Sequence, residues 1–578
     1  MYTSQKAVLQ IRTAIDNAVK AAQKKNILAD AQMPQFIVER PADKSHGDFA
    51  SNAAMASAGA FKTAPIRIAQ AIKENISFDG TLIDKCEIAG PGFLNFFLKP
   101  QYYADVLKEI EQDGKNYGSS DYGSGKKVMV EFISANPTGP MHMGNARGGA
   151  LGDCLSGVLG KAGYKVWREF YVNDAGNQIE KFANSLNARY LQIFDSSVEF
   201  PEDGYQGGDI IDHAKAFAEI NKDKYVNVPE EERKKALVDY ALPINIAKMQ
   251  SDTAKYKIHY DKWFFESELH NNGEVKEIID ILKEKGLTYE QDGAVWYKNK
   301  EVLTNKLLSE GKSQADIDKL ELKDDVLVRN NGNPTYFAAD IAYHRNKFEK
   351  RGFDICVDIW GADHHGHVAR LKGAMDSVGC DSSRLHIVLM QLVRLMRNGE
   401  LVRMSKRTGK AIQLGDLLEE VPIDSARFLF NTREANTQMD FDMDIAVKED
   451  SQNPVYYVQY AHARICSIIK ALKSSGIELR PCNDEELMKL CEPEEKELID
   501  CLAMFEEEII TSAKNLDPTI ITKYVTHLAT LFHRFYNACR VKGEDSGLTA
   551  ARLMLCHCTK TVIACVLDMF NIEAPEVM

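Results

Sequence analysis

The chain predicts an α/β fold, with a parallel-sheet core that has a small α+β domain before it and an all-α domain after it. Three observations carry this. Short apolar runs alternate with helix-patterned segments through the middle of the chain. One run leads into a proline- and glycine-rich turn that opens a helix, the start of a strand–helix–strand unit. From about residue 453 strand signals disappear, and helical periodicity continues with breaks at Gly476, Pro481, Pro493, Pro518 and Gly543. The 578 residues suffice for about three or four domains.

Residues 1–112 read as the small α+β domain. Helical patterns around 5–24, 49–76 and 101–113 enclose strand-like 35–39 and 94–98. Residues 113–125 are rich in turn formers, and the core they introduce is expected over 113–450. It opens with the apolar run 127–133, suited to a buried parallel strand. Ala146, Ala150, Leu151, Cys154, Leu155, Val158 and Leu159 then recur at helical spacing, Gly163 closes that helix, and 165–172 is another strand. Later strands are expected at 354–360 and 386–390. The stretch from about 195 to 250, with charged helices, reads as an insertion. Residues 451–578 form the helical domain, and no internal repeat is visible.

Composition is that of a globular protein, 44% hydrophobic and 27% charged. No apolar run approaches the roughly 20 residues needed to span a bilayer, and the N-terminus lacks a secretory h-region. A cytoplasmic protein with no membrane association is the expectation. Twelve cysteines are scattered without a C-x-x-C pair, so neither a zinc ribbon nor a disulfide framework is indicated. The one tight cluster, around Cys556 and Cys558, lies among apolar helix residues and reads as core. A net charge of −13 excludes a general coating of nucleic-acid-binding charge but not a local one. Arg394, Arg397, Arg403, Lys406, Arg407 and Lys410 make the densest basic stretch of the core, opposed only by Glu400.

Two segments carry the chemistry. The first runs from Ser134 through Asn136, His142 and Gly144 to Asn145, between the first core strand and its helix. Ligands bind at such C-terminal strand ends, and phosphates favour helix N-termini. The second is the basic loop Arg403–Gly409, with Met404 and Lys406. Gly144 admits a ligand close to the backbone, His142 can donate to phosphates, and Lys406 is a point charge on a flexible stem. Such a site suits attack of a carboxylate on the α-phosphate of ATP, where charge on the departing pyrophosphate must be met as it develops.

These segments resemble the H-I-G-H and K-M-S-K motifs of the class I aminoacyl-tRNA synthetases, with Asn145 replacing the last histidine and Arg403 the first lysine. Finer matches resemble the arginyl-tRNA synthetases, in their bacterial form. Glu131 and Asn136 have the spacing of family residues that help bind arginine, and Tyr336 and Asp340 match the pair that completes the guanidinium pocket. Ser134 and Asn145 correspond to positions lining the amino-acid site, and His364 is matched to a glutamine of other members. Segments around Ser45–Asn52, Ala89–Asn95, Tyr171–Gln178, Asp424–Phe428 and Asn453–Arg464 extend the resemblance over nearly the whole chain.

The resemblance implies a Rossmann-type catalytic domain, an N-terminal domain that contacts tRNA and a C-terminal anticodon-binding bundle. It implies ATP and L-arginine as substrates, Mg²⁺, an arginine-accepting tRNA that activation can require, and a monomer. His142 and Lys406 would be catalytic, with Gly144, Asn145 and Met404 also on ATP. Physics agrees with the pocket: a guanidinium has five donors and no acceptor, so it asks for carboxylates and hydroxyls. The alternative for Glu131 is a structural ion pair inside the sheet. For Tyr456, Tyr457 and Tyr460, core packing competes with stacking on anticodon bases. The rival functions are a nucleotidylyltransferase that uses no tRNA, another class I synthetase, and a catalytically silent tRNA-binding paralogue.

Overall fold

Lys127–Glu131 (β1) is apolar at Val128, Met129 and Val130 because it lies at the centre of a sheet covered on both faces. In the computed structural model, which describes residues 1–402 and 412–578, β1 is flanked by Lys165–Val172 (β2), beyond which lies Lys262–Phe265 (β3). On the other side come Ile355–Gly361 (β4) and Leu385–Met390 (β5). All four pairings are parallel, in the order β5-β4-β1-β2-β3. The order reverses beside β1, which places the crevice for a ligand beyond its C-terminal end.

Gly144–Lys161 (α1) follows β1 and is buried on almost every face. Its glycines let it approach its neighbours: a Cβ at Gly152 would overlap the Phe132 ring, and one at Gly157 would overlap the Met569 carbonyl. Asn177–Gln192 (α2), Gly208–Asn221 (α3) and Glu230–Lys255 (α4) form a helical unit between β2 and β3. It has its own small core of Phe182, Leu186, Tyr190, Phe217 and Leu237. Tyr336–Arg345 (α5) precedes β4.

The expected N-terminal helix over 49–76 is broken. Phe49–Ser51 is a strand antiparallel to Phe93–Leu98, because Phe49 is needed in the core opposite Phe96. Lys62 adopts a left-handed conformation (φ 49°), and Pro65 then opens the helix Pro65–Asn75. Of the strand expected at 35–39 only Val38–Glu39 pairs. Two three-stranded sheets were not anticipated: Thr288–Gln291, Ala294–Tyr297 and Asp325–Val328, and Val393–Arg397, Glu400–Val402 and Met439–Asp442.

The C-terminal part is helical, as read. Its helix Ser546–Met569 is long and apolar enough to cross a membrane by composition, contrary to the sequence reading, but 67% of its most apolar stretch is buried. Cys556 and Cys558 lie in that core. Beyond the helix the chain returns to α1. Buried Arg427 pairs with Asp153 of α1 and donates to the carbonyls of Phe570 (2.8 Å) and Tyr256 (2.9 Å). Asn571 Nδ2 donates to the same Asp153 (2.8 Å), and His462 Nδ1 faces the Pro575 carbonyl (2.8 Å).

Candidate active site

The chain leaves β1 through two consecutive left-handed residues, Ile133 (φ 70°) and Ser134 (φ 43°). A β-branched residue seldom adopts this conformation, and such strain, about 1–3 kcal/mol per residue, collects at functional loops. The kink returns Ser134 to the strand. Its Oγ donates to Glu131 Oε1 (2.9 Å) and accepts the Tyr171 N–H (3.1 Å). Asn136 is exposed just beyond. Pro137 then gives its carbonyl to buried Asn245 of α4 (3.0 Å), whose Oδ1 faces His213 Nε2 of α3 (2.8 Å). The inserted helices therefore brace this turn.

His142 is exposed, and its ring accepts the Gly144 N–H at Nδ1 (3.2 Å). A Cβ at Gly144 would lie 3.0 Å from that ring, so any larger residue would shift the His142 side chain by a few tenths of an ångström. With Nδ1 accepting, Nε2 carries the hydrogen and is the free donor. Partial desolvation holds the His142 pKa below the ordinary imidazole value, which favours this neutral form. Asn145 Oδ1 accepts the His142 backbone N–H (3.1 Å), so the residue that departs from the consensus fastens the turn.

The residues that follow the second motif approach from the other direction. Met143 N–H donates to Ile412 O (3.1 Å) and Leu414 N–H to Met141 O (2.9 Å), so the residues directly after the basic loop pair with the His142 segment. Arg403, Met404 and Lys406 lie outside the described residues. Arg147, one turn into α1, is buried and donates to the carbonyls of Gln391 (2.8 Å), Thr437 (3.0 Å) and Glu434 (2.8 Å). Burial pushes its guanidinium down to about 10.

Opposite stand Tyr336, which opens α5 and is 46% exposed, and Asp340 one turn further. Asp340 Oδ2 is 2.9 Å from His367 Nε2. His367 Nδ1 faces the donor-only Arg370 Nη2 (3.4 Å), so Nδ1 accepts and Nε2 donates. Asp340 Oδ1 has no hydrogen-bond partner among the described residues. His364 is exposed and, among the described residues, meets Asp363 (3.8 Å) and the Trp360 ring; the histidine against Asp340 is His367.

Sequence reasoning missed two further charged residues. Glu266 directly follows β3, is 5% exposed, and accepts the Tyr171 hydroxyl (2.9 Å). The aromatic run 263–265 was a strand signal whose C-terminal end could have pointed to it. Lys347, fully buried, places Nζ 2.6 Å from Glu131 Oε2. Burial pushes the Glu131 carboxyl up and Lys347 opposes that push. Burial, with the charges of Glu266, Asp340 and Glu131, raises the Tyr171 hydroxyl well above the phenol range, which marks three carboxylates converging on one point. A donor-rich turn at a helix N-terminus therefore stands beside an acidic pocket able to hold a cationic side chain.

A parallel sheet in this order, with that turn after its first strand, defines the class I synthetase architecture. The catalytic domain model of the class I (R) tRNA synthetases matches residues 106–467. A solved Mycobacterium tuberculosis methionyl-tRNA synthetase shares the fold at a TM-score of 0.54 and 12% identity, over 77% of this chain and 91% of that one. The arginyl tRNA synthetase N-terminal domain matches residues 9–98, and the DALR anticodon binding domain matches residues 458–578. An arginine--tRNA ligase from Ruminiclostridium cellulolyticum is 53% identical over 571 residues, 98% of each chain. One from Caldanaerobacter subterraneus is 52% identical over 574 residues, 99% of each. The solved Thermus thermophilus arginyl-tRNA synthetase has a TM-score of 0.72 at 22% identity, covering 98% of this chain and 100% of that one. The chain belongs to the arginyl-tRNA synthetase family.

Proposed function

We propose that this chain is an arginine–tRNA ligase: it activates L-arginine with ATP to arginyl-adenylate and transfers the arginine to the 3′ end of its tRNA, releasing AMP and pyrophosphate. The observation that carries this is the His142 turn standing at one strand-end crevice with the carboxylates of Asp340, Glu266 and Glu131.

An arginine carboxylate oxygen attacks the α-phosphorus, and the bond to the β-phosphate bridging oxygen breaks. The His142 Nε2–H meets the charge this develops, and Gly144 leaves the helix N-terminus open to the phosphates. Lys406 follows pyrophosphate as it leaves, Met404 packs near adenine, and Asn145 keeps the turn in register. Asp340 takes the guanidinium with Tyr336 and Glu266, while Ser134, Asn136 and Glu131 orient the α-amino acid end. In the second step a ribose hydroxyl of the terminal adenosine attacks the arginyl carbonyl and AMP departs. No side-chain nucleophile is needed.

Among the described residues no group of three or more His, Cys, Asp or Glu could hold a metal ion. Mg²⁺ would therefore enter on the ATP phosphates, whose charge it neutralises. Tyr456 and Tyr460 stack at 6.4 Å between centroids, and the exposed Tyr460 ring is open to an anticodon base. The enzyme would act as a cytoplasmic monomer.

The test is arginine-dependent exchange of labelled pyrophosphate into ATP, with and without total tRNA and with lysine as control. Exchange with arginine and not lysine supports the reading, at the roughly 10⁴–10⁵-fold discrimination open to a pocket with buried acceptors. No exchange in either condition, with tRNA still bound, would instead favour a silent tRNA-binding paralogue.

A further inference from the structure

Lys347 lies in the turn that continues α5, in a place where a lysine is hard to keep. Its side chain is 0% exposed, as is that of Asp358, and that of Glu131 is 9% exposed. Nζ donates to Glu131 Oε2 (2.6 Å) and to both oxygens of Asp358 (2.9 and 2.8 Å). His344 on α5 faces Asp358 Oδ2 (2.8 Å) through Nε2 and the Asp340 carbonyl (2.7 Å) through Nδ1. Asp358 is thus held between Lys347 and His344, inside a buried cluster with Glu131. Buried ion clusters stabilise a fold poorly compared with well-packed apolar side chains. The value of this one has to lie in what it orients.

Glu131 has one oxygen on Lys347 and the other on Ser134 Oγ, so its charge is answered from within the protein. Asp340 and Glu266 differ: among the described residues neither has a lysine or arginine at bonding distance, and the nitrogens that face them are the imidazoles of His367 (2.9 Å) and His270 (3.4 Å) and, on Glu266, the uncharged Asn173 amide (3.2 Å). The acidic pocket thus contains one internally neutralised carboxylate and two that are not. We propose that Lys347 is a positioning residue for arginine recognition. It fixes Glu131 as an oriented acceptor and withholds its charge, so Asp340 and Glu266 supply the countercharge to the guanidinium. This rests on the reading that Glu131 belongs to the arginine site.

Lys347→Met alone would leave two buried carboxylates facing each other and could prevent folding. Asp358→Asn is therefore used as the background. Pyrophosphate exchange with tRNA present is measured for Asp358→Asn and for Lys347→Met/Asp358→Asn, alongside melting temperatures. Asp358→Asn should leave the KM for arginine within about threefold. Adding Lys347→Met should raise it roughly 10- to 100-fold, the scale of losing one hydrogen bond to a charged group, with kcat and the KM for ATP little changed. Adding Glu131→Gln should raise it no further, because Lys347 acts through Glu131. An unchanged KM in the double variant, or equal damage to kcat and both KM values, would overturn the role. Absence of arginine-dependent exchange in the parent protein would overturn the arginine reading itself, a result distinguishable from the first.

Discussion

Asp340→Asn changes one unit of charge and almost no volume, so it isolates what that carboxylate does. The His367 contact at 2.9 Å survives, because Nε2–H can donate to an amide oxygen as readily as to a carboxylate. Stability should stay within about 0.5 kcal/mol. Binding should not. A guanidinium on Asp340 would make two charge-assisted hydrogen bonds, each worth roughly 1.5–3 kcal/mol. In the variant one becomes a neutral bond, and the other becomes a donor facing a donor. The loss is about 3–5 kcal/mol, a factor of ~10²–10³ or somewhat more in the KM for arginine. Glu266 remains nearby, which is why the effect stays finite. The assay is arginine-dependent pyrophosphate exchange over a wide arginine range with saturating ATP and tRNA, compared with the melting temperature of the same preparation. A KM within threefold of the parent, at unchanged stability, would refute the assignment of the guanidinium to this carboxylate.

Three further outcomes are expected. His142→Ala should lower kcat about 10²–10³-fold with little effect on the KM for arginine, the scale of one aimed transition-state donor; a parental rate would remove His142 from the mechanism. Arg147→Met strands three carbonyls at 2.8–3.0 Å and should destabilise by about 3–5 kcal/mol in urea denaturation, with Arg147→Lys recovering part; a loss below about 1 kcal/mol would refute this. Glu506 is pushed up to about 7 by burial, opposed by the N-terminal amine and Gln5. Its folded pKa lies above the unfolded one, so the folded state holds the proton and stability falls as pH rises from about 4.5 through 7. Glu506→Gln should therefore raise stability at pH 8 by about 1–3 kcal/mol and hardly at pH 4.5, read by thermal melts; an equal gain at both pH values would refute it.

What the sequence revealed depended on the range of the interactions. The strand–turn–helix from β1 into α1 was legible because apolar runs, a Pro/Gly turn and helical spacing are local signals. Tyr336 and Asp340 were named from the family resemblance, and the structure puts them one turn apart on α5. Lys347 was not legible, since its partner Glu131 lies 216 residues away and nothing local distinguishes a buried lysine from a surface one. The histidines show a related limit. Three histidines follow Asp363 within four positions, and only the path of the chain from β4 decides that His367 is the one against Asp340. The strand at Phe49–Ser51 was hidden in a helical pattern, because three residues are too few to set a period against their neighbours.

The return of residues 570 and 571 to Arg427 and α1 has a consequence for how the molecule is made. Asp153 is translated early, but its hydrogen-bond partner Asn571 lies 418 residues later. At the usual 5–20 residues per second, roughly 20–80 seconds separate the two on the ribosome. Arg427 itself follows Asp153 by 274 residues, and from then until residue 571 is made the Asp153–Arg427 pair lacks the Phe570 carbonyl and Asn571 amide that complete it. The nascent enzyme would therefore pass through a long-lived stage with its fold present and its ionic joint open. Premature termination in the last helical segment would leave the product in that stage.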